Sequence, residues 1–176
     1  MDKTGKTGAG LEDILRYREE IFLVCLGFSR DVTAAEDLCQ DVYARACAKL
    51  PTIRNIDALK PWLFRIARNI CLDHGRRSRI VRFVPLDTAA AGESPEAPHR
   101  ESGENDNRLA FLKAAVGRLP VKLREVFVLR EYARLSYGEI ARTLDIREGT
   151  VMSRLHRGRR VLVKIFGENH HDNAAE

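Results

Sequence analysis

The stretch LSYGEIARTLDIREGTVMSRLHRGRR, from Leu135 to Arg160, carries five arginines and a histidine after Ile146. Guanidinium groups at helical spacing can offer paired donors to a guanine edge or single donors to phosphates. No acid lies between Gly149 and Phe166, so this charge is not laced internally by i,i+4 pairs as on an ordinary solvated helix. With Val151 set at zero and about 100° per residue, Val151, Leu155, Gly158 and Leu162 fall together as an apolar side. Ser153, His156, Arg157 and Arg160 fall opposite, with Thr150 and Met152 on the shoulders. That face suits a DNA major groove: Arg157 for guanine, Ser153 for a base or phosphate, Met152 for a thymine methyl. Arg154 and Arg159 lie nearer the core boundary and suit phosphates.

Two further stretches could bind. From Trp62 to Val84 there are six arginines against one acid, Asp73. Arg65, Arg68, Asn69, Arg76 and Arg77 fall away from the apolar stripe Leu63, Ile66, Ala67 and Ile70, and Asp73 can tie down Asn69 or Arg77. Trp62 beside this face could stack on an unpaired base, worth about 1–3 kcal/mol, or sit in the core. From about Thr33 to Leu50, the stripe Leu38, Val42, Ala46 and Leu50 has core spacing, while Asp37, Gln40, Asp41 and Ala44 form a second, acidic and polar stripe. It is either a solvated face with Asp41 paired to Arg45, or a docking surface for a basic partner.

These residues need helices to carry them. Residues 11–84 and 108–166 read as two helical blocks, and no stretch alternates with period two long enough for a sheet. Between them DTAAAGESPEAPHRESGENDN is rich in Pro, Gly, Ser and acids, with too few large apolar groups to fold alone. The expectation is all-α: two small helical domains joined by a flexible acidic linker, 85–107, with tails at 1–10 and 167–176. The second is a four-helix domain. In it Leu109, Leu112, Val116 and Leu119 lead to Pro120, and Leu123, Val126, Phe127 and Arg130 continue to about Tyr132. Ser136 with Glu139 makes a capping box opening a helix over Tyr137–Leu144. A short connection at Asp145–Arg147 leads to a helix over about Glu148–Phe166, completing a helix-turn-helix. The first block's last helix should open near Pro61.

The net charge of +5 favours an anionic partner. Two cationic blocks flank the acidic segment, as expected of surfaces gripping one long polyanion. Cys25, Cys39, Cys47 and Cys71 have no metal-ligand spacing and read as buried reduced thiols. The start, MDKTGKTGAG, has no apolar signal core, and no run approaches the roughly 20 apolar residues of a membrane span; the expected location is the cytoplasm, without membrane insertion. No Gly-rich phosphate loop or paired-carboxylate motif supports an enzyme, and no metal or cofactor is expected.

The order of four motifs is more specific. AEDLCQDVYARA, PWLFRIARNICLDHGRR, LPVKLREVFVLRE and LSYGEIARTLDIREGTVMSRLHRGRR together resemble the sigma factors of bacterial RNA polymerase, of the small extracytoplasmic-function type, over roughly residues 11–166. The resemblance implies that the blocks are sigma regions 2 and 4, and that the chain directs core polymerase to promoters and helps to open them. Asp37, Leu38, Gln40 and Asp41 would dock on the polymerase clamp, with the flap as a second contact. Trp62, Arg65, Arg68, Asn69, Arg76 and Arg77 would engage the downstream (-10) element, with Asn69 at a base-pocket position. Thr150, Met152, Ser153, Arg154, His156, Arg157 and Arg160 would read the upstream (-35) element. An anti-sigma factor is implied as a regulatory partner, the free protein being a monomer or a heterodimer with it. Met152 stands where many such proteins carry a basic residue, and Arg147 replaces a usual helix cap. The alternative is a stand-alone duplex-binding regulator, which would need a ligand or dimer surface in the first block.

Overall fold

The computed structural model describes residues 10–83 and 114–172, with side chains over 10–77 and 114–166. The acidic segment 85–107 and the expected tails, apart from Gly10 and the backbone of 167–172, lie outside the described residues, as do Leu109 and Leu112.

The first block comprises α1 (Leu11–Leu15), α2 (Arg18–Ser29), α3 (Val32–Lys49) and α4 (Leu59–Phe83), with two short 3-10 turns between α3 and α4. Asp31 caps α3, its carboxylate accepting from the Ala34 N–H at 2.7 Å. Asn55 holds the second 3-10 turn by accepting from the Asp57 N–H. α4 therefore starts at Leu59, two residues before Pro61; proline still falls in the first turn, where no intrahelical partner for its missing N–H is needed. The three long helices pack on one another around Ile21, Val24, Val42, Leu63 and Phe64, and Tyr17 meets Phe64 edge-on with ring centroids 6.2 Å apart.

The second block has a helical turn at 114–118, then α5 (Val121–Glu131), α6 (Tyr137–Leu144) and α7 (Glu148–Asp172). Pro120 stands at the N-cap of α5. The capping box is present in full: the Ser136 hydroxyl accepts from the Glu139 N–H at 3.3 Å, and the Glu139 carboxylate accepts from the Ser136 N–H at 2.7 Å. Asp145 closes α6 in the left-handed region at φ 53, a conformation its short polar side chain tolerates. Arg130 staples the turn into α6, donating to the Leu135 carbonyl at 2.8 Å with its guanidinium over the Tyr137 ring. α7 runs to Asp172, beyond the expected end at Phe166.

The two blocks are not independent bodies. α4 packs on α6, α2 packs on α5, and one hydrophobic core runs from Ile14 through to Leu155. A satellite cluster of Ala115, Leu119 and Leu162 lies under Phe127, Ile165 and Phe166. This contact explains a difference from the periodic reading of α5. Its buried residues include Glu125, Val128 and Leu129 as well as Val126, because α5 is covered by α7 on one side and α2 on the other.

Cys25, Cys39 and Cys71 come together from α2, α3 and α4, with the Cys25 and Cys71 sulfurs 3.9 Å apart. Hydrogen bonding with Cys39 favours the Cys25 thiolate, but contact with Cys71 and burial outweigh it and push the thiol far up; contact with Cys25 and burial push Cys39 up too. They are inert thiols, since the thiolate is the reactive form. Cys47 corrects the expectation of four buried thiols: it lies exposed on α3. A disulfide-exchange reagent should therefore titrate one thiol in the native protein and four in denaturant; a second fast native thiol would contradict this packing.

Burial raises the Glu139 carboxyl, but the Ser136 hydroxyl and N–H donating to it, with Lys60 and Arg142 nearby, bring its pKa below the usual range. A depressed carboxyl stabilises the fold above its unfolded value of about 4.3, and that contribution disappears as pH falls through the folded value. Ser136→Ala should cost about 1 kcal/mol at neutral pH. The deficit relative to the parent protein, measured by denaturant unfolding, should shrink below about pH 4, once Glu139 is protonated in both; a pH-independent deficit would refute the coupling.

Candidate functional site

α7 presents the face obtained from helical angles. Val151, Leu155, Gly158 and Leu162 are buried against α5 and α6, and Ser153, His156, Arg157 and Arg160 are exposed opposite them. Met152 is 56% exposed although apolar, while Thr150 and Arg154 are half-buried at the edges. Arg157 Nε donates to the Ser153 carbonyl of its own helix at 3.3 Å, leaving its terminal nitrogens directed outward as donors. Arg159 pairs with Glu131 at 2.9 Å. An exposed pair of this kind is worth little, so Arg159 is anchored to the domain without its charge being removed. Among the described residues Arg154 and Arg160 have no acidic partner.

α3 carries the second surface. Asp37, Gln40, Asp41 and Ala44 are all exposed. Arg45 does not pair with Asp41; among the described residues neither Asp37 nor Asp41 enters an ion pair. Leu38 differs from the other three docking residues: at 3% exposure it belongs to the core and supports the ridge from beneath. Beside Asp41 an open groove of about 490 Å³ separates α3 from α4, with Arg45, Asp73, His74 and Arg77 on its walls. Carboxylates and cations alternate along it.

The α4 surface is divided. Arg76 and Arg77 are exposed, and Asp73 pairs with Arg76 at 3.1 Å, not with Asn69 or Arg77. Trp62 is half-buried, its ring packed on the core edge and facing a cavity of about 360 Å³ between α4 and α6. Arg65 and Arg68 are held by the second block. Arg65 donates to the carbonyls of Arg142 and Thr143 at the end of α6, where the helix dipole favours a cation. Arg68 forms a salt bridge with Glu125 at 2.6 Å and also donates to the Asn69 side chain at 3.0 Å. Glu125 and Thr143, the two buried polar residues, complete this contact; the Thr143 hydroxyl donates to the Pro61 carbonyl. Neither was singled out from sequence. The one available signal was an acid inside the apolar run of LREVFVLRE.

Among the described residues no cluster of His, Cys, Asp or Glu is arranged to hold a metal ion, and no helix is long and apolar enough to cross a membrane.

Comparison with known proteins gives these surfaces a context. The family model "Sigma-70 region 2" matches residues 14–80, and "Sigma-70, region 4" matches residues 112–162. The chain is 32% identical to the ECF RNA polymerase sigma factor SigE of Mycolicibacterium smegmatis, over 99% of this chain and 69% of the relative. It is 30% identical to the ECF RNA polymerase sigma factor SigW of Bacillus subtilis, over 92% of this chain and 91% of the relative. The fold is similar to the sigma factor RpoE of Bartonella quintana, solved in complex with the anti-sigma factor NepR, with a TM-score of 0.66 and 26% identity over 89% of this chain and 95% of that one. CnrH, solved with the cytosolic domain of CnrY, has the same fold at a TM-score of 0.67 and 23% identity over 89% of this chain and 86% of that one. The two matched regions are the two helical blocks, in the same order, and the likeness to SigW runs nearly end to end in both chains, so this protein belongs to the extracytoplasmic-function (ECF) sigma factors of the sigma-70 family.

Proposed function

We propose that the chain acts as a promoter-recognition subunit of RNA polymerase, with no catalysis of its own, and that its three surfaces divide the work. The α3 ridge of Asp37, Gln40 and Asp41, seated on Leu38, docks on a basic part of the polymerase clamp; region 4 makes a further contact with the flap. The α4 face, with Trp62, Arg65, Arg68, Asn69, Arg76 and Arg77, takes the strand released at the -10 element. Unstacking a base costs a few kcal/mol, and aromatic stacking with backbone contacts can offset it. The α7 face, with Thr150, Met152, Ser153, Arg154, His156, Arg157 and Arg160, reads the -35 element in the major groove. Control by an anti-sigma factor is supported by the likeness to RpoE, whose solved form is a complex with NepR. Work on promoters places the protein in the cytoplasm.

The observation that carries this reading is the pairing of unlike surfaces on one chain: an unpartnered carboxylate ridge on α3 and an exposed cationic face on α7. A stand-alone duplex binder needs the second and has no use for the first.

In vitro transcription with purified core polymerase and a library of promoter fragments tests it. Promoter-specific transcripts are expected with the parent protein, and tight duplex binding that needs no polymerase would favour the stand-alone regulator. Asp41→Arg should abolish co-purification with core and those transcripts while leaving the circular dichroism spectrum unchanged, because Asp41 is exposed and unpaired. Undiminished co-purification would remove the ridge from the docking surface. Arg157→Ala should weaken binding by about 1–3 kcal/mol and relax one base position of the upstream element. An equal loss across all sequences would make Arg157 a phosphate contact.

A further inference from the structure

Two of the cationic groups assigned above to the released strand are already occupied. We infer that the free chain latches itself: the second block seats Glu125 and the α6 C-terminus on Arg68 and Arg65, so that region 4 and single-stranded DNA compete for the same two guanidiniums. This inference rests on the proposed role of α4.

Three features meet at this contact. The first is chemical mimicry. Glu125 gives Arg68 the carboxylate oxygen that a phosphate would give, at 2.6–2.8 Å, and the α6 end gives Arg65 two carbonyl oxygens. Guanidinium forks bind carboxylate and phosphate through the same donor geometry. The second is burial. Glu125 is 4% exposed; a carboxylate so far out of water needs a cation, and among the described residues Arg68 is its ion-pair partner. The third is shape. α5 approaches α2 at Gly27, where an added Cβ would lie 3.0 Å from both Val128 and the Tyr132 ring. No larger residue allows this approach without displacement, although glycine inside a helix lowers its stability.

The latch is selective. It covers Arg65 and Arg68, and the Thr143–Asp145 turn lies over a crevice of about 340 Å³ beside Asn69. Ser153, His156 and Arg157 on α7 remain exposed. The closed chain can therefore meet duplex DNA through α7 but not a single strand through the first half of α4.

Two variants separate the latch from the strand reading, and both lie outside the proposed reading faces. Glu125→Gln removes the buried charge. Gly27→Gln inserts a helix-favouring wedge that meets only α5 among the nearest contacts. Spin labels at the exposed Cys47 and at Val163→Cys, 70% exposed on α7, report the distance between blocks. The probes are pools of random single-stranded and of duplex deoxyoligonucleotides. The parent is expected to show one short distance. Both variants should lengthen it and bind the single-stranded pool about three- to tenfold more tightly, since apparent affinity scales with the fraction of open chain. Affinity for duplex should change by less than about twofold on the same argument. Folded variants that keep the parent distance would overturn the latch and leave the strand reading standing. Longer distances with no gain in strand affinity would overturn the competition, and no strand binding by any form would overturn the α4 assignment with it.

Discussion

A guanidinium taken out of water must be answered by an acceptor, and the packing of this chain is organised around how Arg68 is answered. Its side chain is 25% exposed and that of Glu125 6%. Desolvating both charges offsets most of their attraction, so a pair of this kind adds little net stability but makes loss of either partner costly. It therefore fixes where the two blocks meet more than how tightly they hold. The attraction is left to apolar contact, in which Val128 and Tyr132 of α5 lie against Gly27 and the shared core runs beneath. An interface so constructed is specific in register and modest in strength, which suits two regions that must separate to span a promoter.

The same balance governs the cationic surfaces. With a net charge of +5, exposed arginines on α7 give a long-range, salt-sensitive attraction to DNA that is largely indifferent to sequence. Such attraction is a hazard for a free subunit, because non-specific duplex greatly outnumbers promoters. Covering Arg65 and Arg68 with internal acceptors lowers the cationic surface on offer without reducing the number of arginines. Arg76 and Arg159 are tempered more lightly, by exposed partners at Asp73 and Glu131.

What could be read from the sequence follows the distance over which each cause acts. The capping box at Ser136, the helix entry at Pro120 and the buried and exposed sides of α7 depend on neighbours within four residues, and periodicity finds them. The burial of Glu125, Val128 and Leu129 depends on α2, which lies in the other block and far back along the chain. A stripe drawn for a helix with one buried side misses a helix covered on two. Asp73 illustrates a middle case: Asn69, Arg76 and Arg77 were all within about one turn, and only side-chain placement selects Arg76. Cys47 follows Cys39 on the same helix, close enough in sequence to share its apolar stretch but pointing to solvent. Leu38 sits beside the exposed Asp37 and belongs to the core beneath the ridge.

The acids of the chain finally separate by environment and not by type. Asp37 and Asp41 lie on one face of α3, one turn apart, exposed and without an ionic partner among the described residues. Glu125 is buried against the arginine that answers it. An exposed carboxylate retains its hydration until a partner of higher positive potential displaces the water, so it serves intermolecular recognition and association rate. A buried carboxylate has already lost that hydration and can be released only by exchange, when another anion takes its arginine or when water floods the opened interface. The α3 ridge is thus available at all times, whereas the α4 arginines become available only when the blocks part. That ordering, polymerase first and strand second, follows from where three carboxylates sit relative to water.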